Sequence, residues 1–257
     1  NDPDVGTEAK KVFNDANVMI DNIIEKRLLQ AKGVVGFYKA CSDNDDIKLY
    51  NENNEYLETL FGLRQQEKRF GTDTYVCMSD FIANKEDDYI GLFAVTAGIN
   101  LENEKNKYRK DNDDYSLIMM DAVADRFAEA FTEYLHHQVS IEFWGYQKED
   151  LDIADLHKMK YQGIRPAPGY PVQPDHTEKE IIWKLLNVEK DIGIKLTESY
   201  SMYPTASVCG LFFSHPESHY FSVNTICYDQ IESYSKRKSQ TIEITEKWLS
   251  PILGYRI

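Results

Sequence analysis

One stretch of this 257-residue chain gathers residue types that could hold a ligand: YQGIRPAPGYPVQPDHTEKE, residues 161–180. Prolines and glycines surround a single arginine, Arg165, and the stretch ends with the composition of a helix start. Arg165 can give a carboxylate two parallel hydrogen bonds from its fork of N–H donors. Pro166 and Pro168 remove chain freedom, so less order has to be imposed when a ligand binds. Gly169 lets backbone approach a ligand closely, and Tyr170 offers an aromatic wall for a cation or a flat ring. With exposed backbone to read an adenine edge, such a set describes a site for S-adenosylmethionine. It equally describes a stiff surface loop with a solvated arginine, and these residues alone leave both readings open.

Other chemistries find less support. The chain has no GxSxG nucleophile elbow, no P-loop and no HExxH. The GxGxxG fingerprint is also missing, so an adenosyl cofactor would be held outside the dinucleotide-fold mode. The six histidines, His136, His137, His157, His176, His215 and His219, include no pair at metal-ligand spacing. Pro216 breaks any helix that would set His215 and His219 on one face. Cys41, Cys77, Cys209 and Cys227 lie far apart with no CxxC, the expectation for reduced thiols of a cytoplasmic protein. Asp121, Asp125, Glu129 and Glu133 recur every four residues along a predicted helix. They are either a solvated stripe or a set from which one carboxylate meets a cationic ligand group.

The rest of the chain must position that loop. Acidic residues outnumber basic ones, 43 to 29, for a net charge of -14. Such a field repels phosphate backbones and anionic lipid, so neither nucleic acid nor a membrane is an expected partner. No apolar run approaches the ~20 residues of a membrane span, and the first residues lack the pattern of a signal peptide. The opening reads as a helix capped by Asp4 or Thr7, with Ala9, Val12, Phe13, Ala16, Met19, Ile20 and Ile23 at helical spacing. Strands are predicted at 33–40 and 46–51, joined as a hairpin by CSDND, and again at 74–82 and 88–98. The longest periodic segment, 114–139, predicts a buried helix whose inner face carries Tyr115, Ile118, Met119, Ala122, Phe127, Ala130, Phe131, Tyr134 and Leu135. Behind the loop, 175–193 predicts a helix, with Asp175 and Glu178 at capping-box spacing and Gly193 as its terminator. KLTESYSMYPTASVCGLFFSH and SHYFSVNTICY read as strands about the turn HPES, followed by a helical region over 229–249. Elements interspersed without regular βαβ alternation predict one α+β domain over 1–257, a mostly antiparallel sheet with flanking helices and not a Rossmann fold.

RPAPGYP followed by PDHTEK resembles the arginine-xxx-glycine-tyrosine signature of the activation domain of cobalamin-dependent methionine synthase. DANVMIDNI, GVVGFYKA, LRQQ, DYIGLFAVTAG, ADRFAEAFTEYLH, WGY, LTESYSMYPTASVCGLFFSHPESHYFSV, DQIESYSKRK and EKWLSPILGY also resemble segments of that domain, in the same order. The resemblance covers nearly the whole chain. It implies a domain that binds S-adenosylmethionine and closes over the cobalamin held by another domain of the parent enzyme, whose zinc lies in yet another domain. One electron from flavodoxin or a diflavin reductase, with the methyl of S-adenosylmethionine, then restores methylcobalamin from cob(II)alamin. The cobalt centre is the nucleophile, so the domain needs no catalytic residue of its own and acts by positioning.

Carried over by position, the resemblance implies that Arg165 grips the methionyl carboxylate. Pro166, Ala167, Gly169 and Tyr170 would supply backbone and ring contacts, Tyr220 and Phe221 fill a paired-aromatic position, and Glu129 lies near the amino acid end. The family's aspartate in a DWTPFF-type segment falls upstream of the first residue here, so the chain reads as a fragment of the domain. The family's acidic contact to the cobalamin domain falls near Met159 and is not carried over. An alternative is a docking module for the electron donor that no longer binds S-adenosylmethionine.

Overall fold

The computed structural model describes residues 5–67, 74–84, 88–148 and 160–256. In chain order the elements are helix α1 (Val5–Lys26), strands β1 (Gln30–Asp43), β2 (Asp46–Tyr50), β3 (Tyr56–Leu60) and β4 (Asp88–Ile99), then helices α2 (Leu101–Asp111) and α3 (Asp114–Gln138). Helices α4 (Lys179–Leu186) and α5 (Val188–Ile192), strands β5 (Lys195–Leu196), β6 (Met202–Tyr203) and β7 (Ser207–Phe212), and helices α6 (Tyr228–Arg237) and α7 (Ile242–Leu249) follow. Five strands form an antiparallel sheet in the order β3-β2-β1-β4-β7, and β5 pairs separately with β6. The fold class is therefore the expected α+β. No described helix is long and apolar enough to cross a membrane.

The chain sorts into two compact units, Asn1–Val34 with Ala94–Leu135 and Glu189–Val208, and Val35–Phe93 with His136–Val188 and Cys209–Ile257. In the first unit, Met19 and Ile23 of α1 pack with Met119, Met120, Val123, Ala124 and Ala128 of α3, around Ala97 and Ala206. The long helix forms as predicted, but its inner face is turned from the one expected. Tyr115, Ile118 and Tyr134 are exposed, Ile118 at 67%. The small side chains of Ala97, Ala124, Ala128 and Ala206 set the closest approach, and that close packing outweighs burying the bulkier residues. Its acidic residues do not form one uniform stripe. Asp121 meets the nearly buried Lys105 at 2.7 Å, while Glu129 is exposed and paired with Arg126 at 2.6 Å.

In the second unit, β1 and β2 pair from Lys39↔Tyr50 to Asp43↔Asp46. Cys41, Ser42 and Asp43 thus belong to the ladder, and the turn shrinks from CSDND to Asn44 and Asp45. Asn44 takes φ 55, a left-handed conformation that asparagine tolerates. Residues 74–82, expected as a strand, form instead a short 3-10 turn, Met78–Phe81. The Asp80 carboxylate accepts from the Cys77 N–H at 2.8 Å and from two nitrogens of Arg64 at 2.8 Å each. Those local bonds give the backbone an alternative to a ladder.

SHYFSVNTICY is likewise no strand. Phe221, Val223 and Ile226 are buried, the first two at the spacing of a half-buried strand and the third out of phase, and loop groups take the backbone bonds. Val223 N–H donates to Pro171 O at 2.7 Å, and Ile226 N–H to Ile252 O at 2.9 Å. KLTESYSMYPTASVCGLFFSH divides into the three short strands β5, β6 and β7, and the turn at HPES is closed by Ser218 N–H on His215 O at 3.0 Å. The helical region after it divides too, at Ser239 (φ 55), with Thr241 capping α7.

The segment 175–193 opens with a 3-10 turn and breaks at Asn187, φ 49, between α4 and α5; Gly193 ends it at φ +79. Asp175 caps it by accepting from Thr177 N–H at 2.8 Å, but Glu178 does not complete a capping box. Glu178 accepts from Phe61 N–H at 2.9 Å and from Lys238 Nζ at 2.7 Å. Lys238 also donates to Asp175 at 2.7 Å and Thr177 at 2.6 Å, and Tyr234 donates its hydroxyl to Asp175 at 2.9 Å. Asp175 and Glu178 are buried and Lys238 nearly so. Removing one partner of a buried ion pair leaves a charge without compensation, whereas removing all charges together does not. Lys238→Met is therefore expected to lower stability in urea denaturation by about 3–5 kcal/mol. Adding Asp175→Asn and Glu178→Gln should recover part of that loss.

Candidate functional site

Backbone pairing fixes the loop that carries Arg165. Ile164 N–H donates to Phe213 O at 3.1 Å and Phe213 N–H to Ile164 O at 3.0 Å, and Leu211 N–H donates to Pro166 O at 2.9 Å. Residues 164–166 thus lie along the end of β7, with Arg165 between two anchored neighbours. Gly210 makes the approach possible, because a Cβ there would stand 2.7 Å from Pro166 O and 2.9 Å from the Phe93 ring. Beyond it the chain turns tightly. Tyr170 N–H donates to Ala167 O at 3.2 Å, and Gly169 N–H to Gln173 O at 2.7 Å. Gly169 is required twice over: its φ is +92, and a Cβ would fall 2.2 Å from the His176 ring. Prolines at 166, 168, 171 and 174 stiffen the span further.

Two neutral groups, His136 and Tyr161, contact the side chain of Arg165. Its Nη1 donates to His136 Nδ1 at 3.0 Å and to the Tyr161 hydroxyl at 2.7 Å, with the guanidinium carbon 5.5 Å from the centre of the Tyr161 ring. Its own N–H donates to the Tyr220 hydroxyl at 3.0 Å. His136, on the last turn of α3, is 2% exposed and packs on the rings of Tyr161 and Phe212. Its Nε2 meets the Tyr146 hydroxyl at 3.0 Å. Burial pushes the Tyr146 phenol well above its ordinary value.

The sequence-predicted residues fall into three groups. Arg165, Pro166, Ala167, Gly169 and Tyr170 share the loop, and Tyr220 touches it through the Arg165 N–H. The Tyr170 ring is 65% exposed. It borders a groove of about 320 Å³ with Pro171, Pro174, His176, Trp248 and Leu249. Phe221 differs from its neighbour: its ring is 3% exposed against Phe81, so what it can offer a ligand is backbone. Glu129 belongs to the first unit. Met159 lies outside the described residues. Sequence reasoning missed His136 and Tyr161 as partners of the arginine, and Tyr146 behind the histidine, although Tyr161 stands four residues before the arginine.

The arrangement can present a guanidinium in one orientation beside an exposed aromatic ring and a tight glycine turn. It suits an anionic group next to a flat or cationic one. Among the described residues, no group of three or more histidine, cysteine, aspartate or glutamate side chains is arranged to hold a metal ion.

Residues 1–239 match the family described as vitamin B12 dependent methionine synthase, activation domain. Among solved structures, the chain is similar to the MetH reactivation domain crystallised bound to AdoHcy, with 46% identity and a TM-score of 0.94. That match covers 99% of this chain and 80% of the other.

Protonation of His136 would set an imidazolium against the Arg165 guanidinium in a buried place. Burial first, and then the charges of Arg165 and His137, push its pKa from 6.5 down to about 3. The unfolded chain binds that proton near the ordinary value, so stability falls as pH drops from 6.5 towards 3, by about 1.4 kcal/mol per unit. On moving from pH 7 to pH 5, wild type is expected to lose about 2 kcal/mol more than His136→Phe in urea denaturation. Parallel losses would contradict this assignment.

Proposed function

This chain belongs to the family of vitamin B12 dependent methionine synthase activation domains, and on that premise we propose that it holds S-adenosylmethionine on the Arg165 loop to reactivate the parent enzyme. Methionine synthase is a methyltransferase of methionine biosynthesis. When bound, S-adenosylmethionine would supply an electrophilic methyl: once one electron from flavodoxin or a diflavin reductase has reduced the cob(II)alamin held by another domain, the S–CH3 bond would break, giving methylcobalamin and S-adenosylhomocysteine. In this reading the chain works in the cytoplasm, docked on the cobalamin-binding domain of the same enzyme, and catalyses nothing alone. Zinc and cobalamin stay with other domains.

The observation that carries the reading is a guanidinium fixed by His136 and Tyr161 on a backbone-paired loop. Neither partner contributes negative charge to the contact. Arg165 then takes the carboxylate of the methionyl end. Pro166, Ala167 and Gly169 give their backbone to the adenosyl part, with the Tyr170 ring beside it. Tyr220 holds the loop and faces the ligand, and Phe221 supports it from the core. Glu129 is assigned to the ammonium group on the resemblance, and its exposed pairing with Arg126 is of a kind worth about 0–1 kcal/mol, which a ligand cation can displace. The chain's part in the reaction is orientation, which can supply a large share of a rate enhancement without a catalytic base.

Calorimetric titration with S-adenosylmethionine tests the loop. Arg165→Ala should weaken binding by about 1.5–3 kcal/mol, the scale of a hydrogen bond to a charged group, while leaving the fold intact. Unchanged affinity would remove Arg165 from the site and favour a docking module without the cofactor. In the same titration Glu129→Gln should lower affinity, and Asp125→Asn, also exposed on α3, should not. Equal, negligible effects of the two would return the acidic residues to a solvated face.

A further inference from the structure

The guanidinium of Arg165 has hydrogen-bond donors and no acceptor. The contact of its Nη1 with His136 Nδ1, at 3.0 Å, therefore requires a bare Nδ1, and the ring proton must sit on Nε2. Nε2 faces the Tyr146 hydroxyl at 3.0 Å and donates its hydrogen bond to that oxygen. One hydrogen bond thus sets the tautomer for the other. The ring is further clamped between Tyr161 at 4.5 Å and Phe212 at 5.1 Å between centroids. The same arginine nitrogen is held from the other side by Tyr161 at 2.7 Å. Fixing one nitrogen of a planar group fixes the direction of the rest.

We propose that His136, locked in the Nε2–H tautomer by Tyr146, is a positioning residue that aims Arg165 at the carboxylate of the bound cofactor. This rests on the reading of Arg165 given above and extends it to a residue that touches no ligand. A histidine buried only for packing would need neither a bare Nδ1 nor a hydroxyl on Nε2. Phenylalanine fills a similar volume without an acceptor. Asparagine places its side-chain oxygen where Nδ1 stood and so restores the bond to Arg165.

Two ligands separate positioning from packing. S-adenosylhomocysteine carries the aminocarboxylate, and 5′-methylthioadenosine keeps the adenosyl thioether without it. In titrations of the whole chain, wild type should prefer the first. His136→Phe should weaken S-adenosylhomocysteine about tenfold and leave 5′-methylthioadenosine within about twofold, and His136→Asn should recover most of the loss. Equal weakening of both ligands, or no rescue by asparagine, means a structural role and overturns the proposal. An unchanged preference in His136→Phe, with Arg165→Ala abolishing it, also overturns it and leaves the Arg165 reading standing. If Arg165→Ala keeps the preference as well, the carboxylate assignment itself fails and the proposal falls with it. A measurement on wild type covers the case in which the phenylalanine variant does not fold. Nitrogen NMR of the His136 ring at pH 7 should show an unprotonated Nδ1 and a protonated Nε2, and a proton on Nδ1 overturns the proposal outright.

Discussion

A single buried ammonium organises the second unit. Lys238 Nζ stands between Asp175 and Glu178 at 2.7 Å from each, with Tyr234 and Phe61 rings beside it. Burial works against the lysine's charge, yet the two carboxylates outweigh it and its pKa is raised. Burial likewise opposes ionisation of Asp175, but Lys238 and Thr177 prevail and hold its pKa down. Glu178 has only a share of the same cation, so burial pushes it up to about 7. Each carboxylate also serves the backbone, Asp175 through Thr177 N–H and Glu178 through Phe61 N–H. The end of α6, the exit of β3 and the start of the turn before α4 are therefore tied at one point.

That point is also where the Arg165 loop ends. The loop is paired to β7 at residues 164–166 and closed at Asp175, and between the anchors lie residues that permit few conformations. Gly169 takes a backbone angle closed to most residues, against the His176 ring, and the prolines fix their own φ. Order that a flexible loop would acquire on binding is already present, which lowers the cost of association. In a chain of net charge -14, a guanidinium held in one direction is a local exception to the field. On the function proposed above, an anionic ligand group would find its attraction there and repulsion over most of the rest.

What could be read in the sequence follows from the range of the forces involved. The loop, the long helix and the antiparallel sheet were legible because proline, glycine and apolar periodicity act locally. The inner face of α3 was not, because Ala124 and Ala128 gain their position only from the small residues opposite, Ala97 and Ala206. The stretch around Asp80 failed for a related reason: the Asp80 carboxylate takes the Cys77 N–H and Arg64 takes the Tyr75 carbonyl, backbone groups that a ladder would otherwise have paired. Glu178 looked like a capping residue by spacing, and two sequence-distant groups, Lys238 and the Phe61 N–H, give it a different use. Within the site, Arg165, Gly169 and Tyr170 stood out by type. His136 did not, because a histidine near a helix end has no signature until the arginine it serves is placed beside it.

The choice of imidazole over carboxylate at that position has a physical reason. An aspartate or glutamate against Arg165 would form a stronger, charge-assisted bond. It would also cancel the charge the arginine presents, and a ligand carboxylate arriving later would meet a repelling neighbour. A neutral ring avoids both effects, provided it stays neutral. Burial does that, together with Arg165 itself, whose charge opposes any second cation beside it. The arginine thus helps to maintain the protonation state of the residue that orients it. Tyr146 completes the arrangement, since its hydroxyl occupies the Nε2 side and leaves Nδ1 as the only acceptor the ring can turn towards the guanidinium.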